Sequence, residues 1–242
     1  MAKPPRRPPL PPPGAGSSRR PTIVAIAVVV LLAVVVGGIL YFRSTETRSD
    51  VAASPSTATY PTSVQNGVVV AGTGPTVLDV YEDALCPYCK QFETTYGPKI
   101  TDGLNANRLT VRYHLVNLLD SDSNPPGYST LGGNAIICAA QNNAFAALHS
   151  ALYQQQPTEG GAGYTADQLV AAGSSVGAGG GYADCVRSGR YSAAVAANLA
   201  QATSDPALQQ TVDGRTGFGT PTILLSGKMV AQGSPEFLAA LG

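Results

Sequence analysis

Cys86-Pro87-Tyr88-Cys89 places two thiols two residues apart, a spacing that can close a small disulfide and open it again. Val77 to Glu82 (VLDVYE) is apolar and β-branched and reads as a strand. Cys86 to Tyr96 (CPYCKQFETTY) reads as a helix with Pro87 in its first turn, where a missing N–H costs nothing. Cys86 therefore falls at a helix N-terminus. Free backbone N–H groups and the positive dipole end favour a thiolate there, lowering its pKa from about 8.5 toward the ~3.5–7.5 range of such motifs. Cys89, one turn further in, is the shielded thiol that resolves a mixed disulfide. A zinc half-site or an inert bridge would use the same spacing. Zinc needs a second pair of ligands, and the chain offers only Cys138, Cys185, His114 and His149, all well separated. Redox chemistry is the favoured reading, with no metal and no organic cofactor beyond the Cys86–Cys89 disulfide itself.

The 242 residues around this motif divide unevenly. Residues 1–20 carry Lys3, Arg6, Arg7, Arg19 and Arg20 with no acid and are dense in proline, the composition of a disordered tail. Ile23 to Phe42 is an uncharged apolar run of 20 residues, so 21–42 is expected to be an uncleaved transmembrane anchor. The positive-inside rule then leaves the basic tail in the cytoplasm and the C-terminal part outside, where disulfides persist. Residues 43–64 are polar and rich in Ser, Thr and Pro, and read as a linker. The domain at 65–242 is long enough to bury a core. From Val64 onward 13 acids stand against 8 Lys and Arg, a net of −5, so the formal zero of the whole chain hides a basic tail and an acidic domain. Nothing in that distribution supports binding to nucleic acid.

The domain must position the motif, and its pattern says how. Gly67–Val70, Thr76–Glu82 and Leu109–Leu118 read as strands, with a loop at Asp120–Tyr128. One helix is expected over Asn134–Tyr153, a short one over Ala166–Ala172 and another over Tyr182–Ala202. Thr222–Leu225 and Lys228–Ala231 form a hairpin about Ser226-Gly227, and Ser234–Leu241 closes as a helix with Ser234 as N-cap. Strand, motif helix, strand, a helical block at about 120–205, hairpin and final helix make an α/β domain in thioredoxin order with a helical insertion.

Three separated pieces make the chain resemble the DsbA-like thioredoxin family, in particular its membrane-anchored actinobacterial type. They are VYEDALCPYC (Val80–Cys89), IICAAQNNAFAALHSALY in the insertion, and ADCVRSGRYSAAV leading to GFGTPTILLSGK (Ala183–Lys228). The resemblance implies a cis Thr220–Pro221 peptide facing Cys86, with the Thr220 backbone free to pair with an extended substrate; an ordinary trans turn is the alternative. Phe218 and Tyr88 would offer apolar contact to unfolded clients or simply pack. With the CxxC pair claimed, Cys138 and Cys185 are left to pair as a structural bridge worth ~3–4 kcal/mol, or as an electron relay. Members of the family hold a carboxylate six residues before the first cysteine. Here that position is Val80, and Glu82, on the same strand face, is the candidate proton acceptor for Cys89 unless Glu82 and Asp83 are a solvated strand end. His114 and His149 read as packing or surface residues.

The resulting expectation is a membrane-tethered thiol–disulfide oxidoreductase that oxidises the dithiols of unfolded exported proteins. A quinone-linked membrane oxidase of the DsbB or VKOR-like kind would reoxidise it. The rivals are the same fold run as a reductase or isomerase, and a non-catalytic tethered binding module. Tyr88 stands where the strongest oxidants of the family carry His, which argues against extreme oxidising power.

Overall fold

A computed structural model describes residues 50–53, 56–212 and 214–242. The expected tail (1–20), anchor (21–42) and the first part of the linker (43–49) lie outside the described residues. Among the described residues no helix is long and apolar enough to cross a membrane.

One six-stranded sheet carries the domain. Its strands are β1 (Thr62–Gln65), β2 (Val68–Gly72), β3 (Thr76–Asp83), β4 (Leu109–Val116), β7 (Thr222–Leu225) and β8 (Lys228–Met229), in the order β1-β2-β4-β3-β7-β8. Only β3 and β4 run parallel, joined through the motif helix α1 (Pro87–Asn105) as a βαβ crossover. Leu78, Val80 and Glu82 of β3 share one face with Val111, Tyr113 and Leu115 of β4, and all six are buried. The opposite face of β3 and β4 carries Asp79, Tyr81, Arg112 and His114, which is more exposed.

Three expectations are corrected. The linker expected over 43–64 ends early, because Thr62–Gln65 pairs with β2 across Asn66-Gly67. Both turn residues have positive φ, +50° and +80°, the conformation that an Asn-Gly hairpin turn requires. The helix expected over Asn134–Tyr153 is two helices, α2 (Tyr128–Gln141) and α3 (Phe145–Gln154). Asn143 between them is left-handed (φ +59°), and the Asn142 side-chain amide caps the carbonyl of Cys138 at 2.8 Å. The helix expected over Tyr182–Ala202 likewise splits into α5 (Tyr182–Arg187) and α6 (Ser192–Ser204), interrupted at Gly189 (φ +61°). The remaining helices are α4 (Ala166–Ser175), opened by a Thr165/Gln168 capping box, and α7 (Pro235–Leu241), capped by Ser234.

Helix α1 also runs past the expected end at Tyr96 and through Pro98. Ile100 and Leu104 continue the apolar stripe of Cys89 and Phe92 beyond the proline and all are buried, so packing outweighs the lost hydrogen bond. A small hairpin, β5 (Gln210–Val212) with an exposed β6 (Arg215–Gly217), precedes β7 and was not legible in the sequence.

Cys138 on α2 and Cys185 on α5 are disulfide-bonded and fully buried, with 5.8 Å between Cα atoms and 47 residues of separation. The bond ties two helices of the insertion together and shortens the unfolded chain. Replacing both by alanine is expected to lower the free energy of unfolding in urea by ~3–4 kcal/mol on the loop-entropy account, while Cys86 keeps its thiol reactivity.

Candidate active site

The motif is held from three directions. Asp83, the last residue of β3, is fully buried and accepts from the Leu85 N–H at 2.8 Å, the Ser129 hydroxyl at 2.6 Å and the Leu119 N–H at 2.9 Å. The Gln156 amide donates to the carbonyls of Ala84 (3.1 Å) and Cys86 (3.0 Å). A Cβ added at Gly132 of α2 would lie 2.7 Å from the Ala84 Cβ, so the insertion sits directly against this loop. Gln156 and Ser129 carried no recognisable signal in the sequence, and Asp83, weighed there with Glu82 as a solvated strand end, is fully buried instead. Burial pushes the Asp83 carboxyl up to about 6, against the opposing pull of those three donors.

Cys86 occupies the N-cap position of α1 with extended backbone (φ −71°, ψ 119°), and Pro87 follows at the first helical position. Its Sγ donates to the Thr220 carbonyl at 3.4 Å, and the Thr220–Pro221 peptide is cis. Both thiols are reduced in this structure. The Cys89 thiol beside it is the largest influence lowering the Cys86 pKa; the Thr220 side chain and the N–H groups of Cys89 and Tyr88 assist, and together they outweigh burial to leave it at about 7. Cys89 moves the other way. It is fully buried, and burial, then Cys86, then the charge of Glu82 push its thiol well above the ordinary value. The pair is therefore built asymmetrically, with a thiolate-forming Cys86 and a proton-holding Cys89.

Glu82 is no solvated strand end. It is fully buried, and its Oε1 lies 2.6 Å from His149 Nε2. His149, read from the sequence as a packing or surface residue, stands on α3 among the rings of Tyr113, Phe145 and Tyr153. Its Nδ1 is 3.8 Å from Oε2 of Glu93. Glu93 was not anticipated, although one signal was present: it follows Cys89 by four residues and so shares its helix face. Donor atoms of Glu82, Glu93 and His149 lie within 4.8 Å of one another, the only such trio of metal-type groups among the described residues. Glu82 and His149 are in direct hydrogen-bond contact, while Glu93 is an ion-pair neighbour of the ring at 3.8 Å.

The other predicted residues fall as follows. Tyr88 is 66 % exposed beside the motif. Val80 is a core residue of β3. Phe218 packs edge-on against Tyr81 (5.9 Å between centroids), and His114 stacks on the other side of that patch, 4.1 Å from Tyr81 and 3.0 Å from Asp79, away from the thiols.

A family model described as thioredoxin matches residues 71–241. The reduced form of a disulfide bond oxidoreductase (DsbG) of Mycobacterium tuberculosis is 30 % identical, with a TM-score of 0.59 over 78 % of this chain and 86 % of that one. Oxidised DsbA of the same organism is 26 % identical, with a TM-score of 0.59 over 76 % and 93 %. MdbA, a thiol-disulfide oxidoreductase of Corynebacterium matruchotii, shares the fold at 20 % identity, with a TM-score of 0.61 over 73 % and 89 %. Serine/threonine-protein kinase PknE of Mycobacterium tuberculosis is 32 % identical over 186 residues, 74 % of this chain. The chain spans about a third of the length of the curated relatives it matches (32 %).

Two outcomes follow from these environments. The rate of iodoacetamide alkylation of Cys86 in the reduced protein should rise with pH to half its plateau near 7, while Cys89 stays unmodified in the folded state. A Cys86 that alkylates only above the ordinary thiol pKa would contradict the environment described. The native Asp83 pKa, about 6, exceeds the ordinary 3.8 of the unfolded chain, so between these values the folded state holds a proton the unfolded state has lost. That group's contribution is present below 3.8 and is lost as pH rises through 6. Urea unfolding at several pH values should show this increment in the wild type and not in Asp83→Asn.

Proposed function

The chain belongs to the thioredoxin family as a DsbA-like thiol–disulfide oxidoreductase, and we propose that Cys86 and Cys89 are its reactive pair, working in the oxidising direction on exported proteins. The observation that carries this reading is the placement of a thiolate-forming Cys86 at the start of α1, with its sulfur 3.4 Å from the Thr220 carbonyl of the cis-proline loop. An extended substrate segment can pair with the Thr220 backbone and so bring its own sulfur to Cys86. A substrate thiolate attacks Cys86 of the oxidised pair, and Cys89 leaves. The substrate's second thiolate then attacks the mixed disulfide, and Cys86 departs as a thiolate. A low Cys86 pKa makes it a good leaving group and stabilises the reduced form, which favours oxidation of the substrate. Tyr88, exposed next to Cys86, supplies apolar contact for unfolded clients.

Within this reading the apolar run at 21–42 anchors the domain outside the cytoplasm, and a quinone-linked membrane oxidase returns the pair to its disulfide. The pair itself is the only redox group required. The same geometry suits a second reading, a reductase or isomerase: the Cys89 thiol and the first-turn N–H groups bring Cys86 only to about 7, short of the ~3.5 of the strongest oxidant.

Equilibration of the Cys86–Cys89 pair with glutathione separates the two. The oxidase reading expects a potential less negative than about −230 mV, between glutaredoxins and the strongest oxidant. A value near the roughly −270 mV of thioredoxin would establish the reducing direction instead.

A further inference from the structure

Glu82 on β3, Glu93 on α1 and His149 on α3 meet in the interior, all buried, and their only ion pairs among the described residues are with one another. Two of the carboxylate oxygens, Glu82 Oε2 and Glu93 Oε1, are buried and receive no hydrogen bond from any donor in the protein. Buried acceptors without a donor are costly, and a single imidazole can offset the charge of only one carboxylate. A divalent cation removes both deficits at once. It takes orphaned oxygens as ligands, and its two charges balance two carboxylates around a neutral ring.

The donors are spaced for such an ion. One ligand atom from each of the three side chains lies within 4.8 Å of the other two. Tetrahedral ligands at ~2.1 Å from a metal sit about 3.4 Å from one another. The ring is approached from both sides, with Nε2 2.6 Å from Glu82 and Nδ1 3.8 Å from Glu93, distances on either side of that value. Whichever nitrogen takes the metal, the other still faces a carboxylate, the outer partner that commonly orients a metal-bound imidazole. One imidazole with two carboxylates suits zinc, whereas calcium and magnesium ask for a fuller shell of oxygens. The chain's cysteines and histidines are too scattered to bind zinc by themselves; here two carboxylates stand in for them.

Glu93 and His149 also line a cavity of about 310 Å³. Its wall includes the exposed Thr94 and Gln154, so an ion can enter from solvent. Tyr153 lines the same cavity, and its buried hydroxyl is likewise without a partner, free to hold a water on the ion.

We propose that Glu82, Glu93 and His149 form a zinc site, entered from this cavity and completed by water. The ion joins a strand, the motif helix and a helix of the insertion, and so fastens the insertion to the sheet. No thiol is a ligand, and the site stands whether or not the redox reading does.

The test uses the full chain with Cys86 and Cys89 oxidised, so that neither thiol can take metal. After stripping with EDTA and loading with zinc, plasma mass spectrometry should find one zinc per chain. Thermal unfolding should move to higher temperature with zinc and not with magnesium or calcium. X-ray absorption at the zinc edge should show nitrogen and oxygen at ~2.0–2.2 Å, the scattering pattern of imidazole, and no sulfur at ~2.3 Å. Glu93→Gln and His149→Gln should each weaken zinc binding on the order of 10²-fold, the upper end of what even outer-shell partners cost. His114→Gln should leave it unchanged, since His114 lies away from the trio with Asp79. Less than one zinc per wild-type chain, sulfur in the shell, or an unchanged affinity in Glu93→Gln overturns the proposal. Should a variant fail to fold, the wild-type absorption spectrum decides alone, and a shell without imidazole overturns the proposal.

Discussion

Everything in this domain answers to one electrostatic requirement: a sulfur anion must be favourable at the first residue of a helix and unfavourable one turn inside it. At Cys86 the free N–H groups of the first turn and the neighbouring thiol stabilise negative charge. At Cys89, only three residues on, full burial removes that stabilisation and holds the proton on sulfur. The difference gives the pair its polarity. On the proposed reading, one thiol attacks or leaves, and the other waits until a mixed disulfide forms.

Such a gradient survives only if the helix start cannot shift, and the buried contacts around Asp83 and Gln156 provide that rigidity. Asp83 ties the end of β3 to the N–H of Leu85 and to both the approach and the first turn of α2, through Leu119 and Ser129. Gln156 fixes the carbonyls of Ala84 and Cys86 from the far end of α3. Removing the Asp83 carboxylate would leave the buried Leu85 N–H without its side-chain acceptor, at a cost of about 1–3 kcal/mol. The helical insertion therefore serves as more than a lid on the thioredoxin core. It supplies His149, the Phe145 and Tyr153 rings beside it, and the Ser129 and Gln156 side chains that meet the loop before the motif helix. The bond between Cys138 and Cys185 keeps that insertion together.

Much of this was legible in the sequence, and the parts that were not have common causes. The strand before the motif, the proline at the helix start and the order of elements all depend on local pattern, and local pattern is what a sequence displays. The Asn66-Gly67 turn was equally local; it went unread because the segment before it is polar, Ser/Thr-rich and continuous in composition with the linker. The breaks at Asn143 and Gly189 sit inside alanine-rich stretches whose helical periodicity continues on either side, so the pattern alone could not show the chain reversing. Helix α1 ran past Pro98 because its apolar stripe packs on the sheet, a tertiary gain that overrides a local breaker.

The sequence by itself displayed two thiols at CxxC spacing, a proline to start the helix, a Thr-Pro loop, and a second cysteine pair set apart. Tertiary structure alone decided which charged groups surround the buried thiol. Glu82, Glu93 and His149 come from a strand and two helices, and the first and last are 67 residues apart. His149 is an unremarkable residue on an alanine-rich helix until the fold removes it from water and sets it against a carboxylate. Its protonation depends on burial and on charges from other segments, and those fields exist only once the chain has folded.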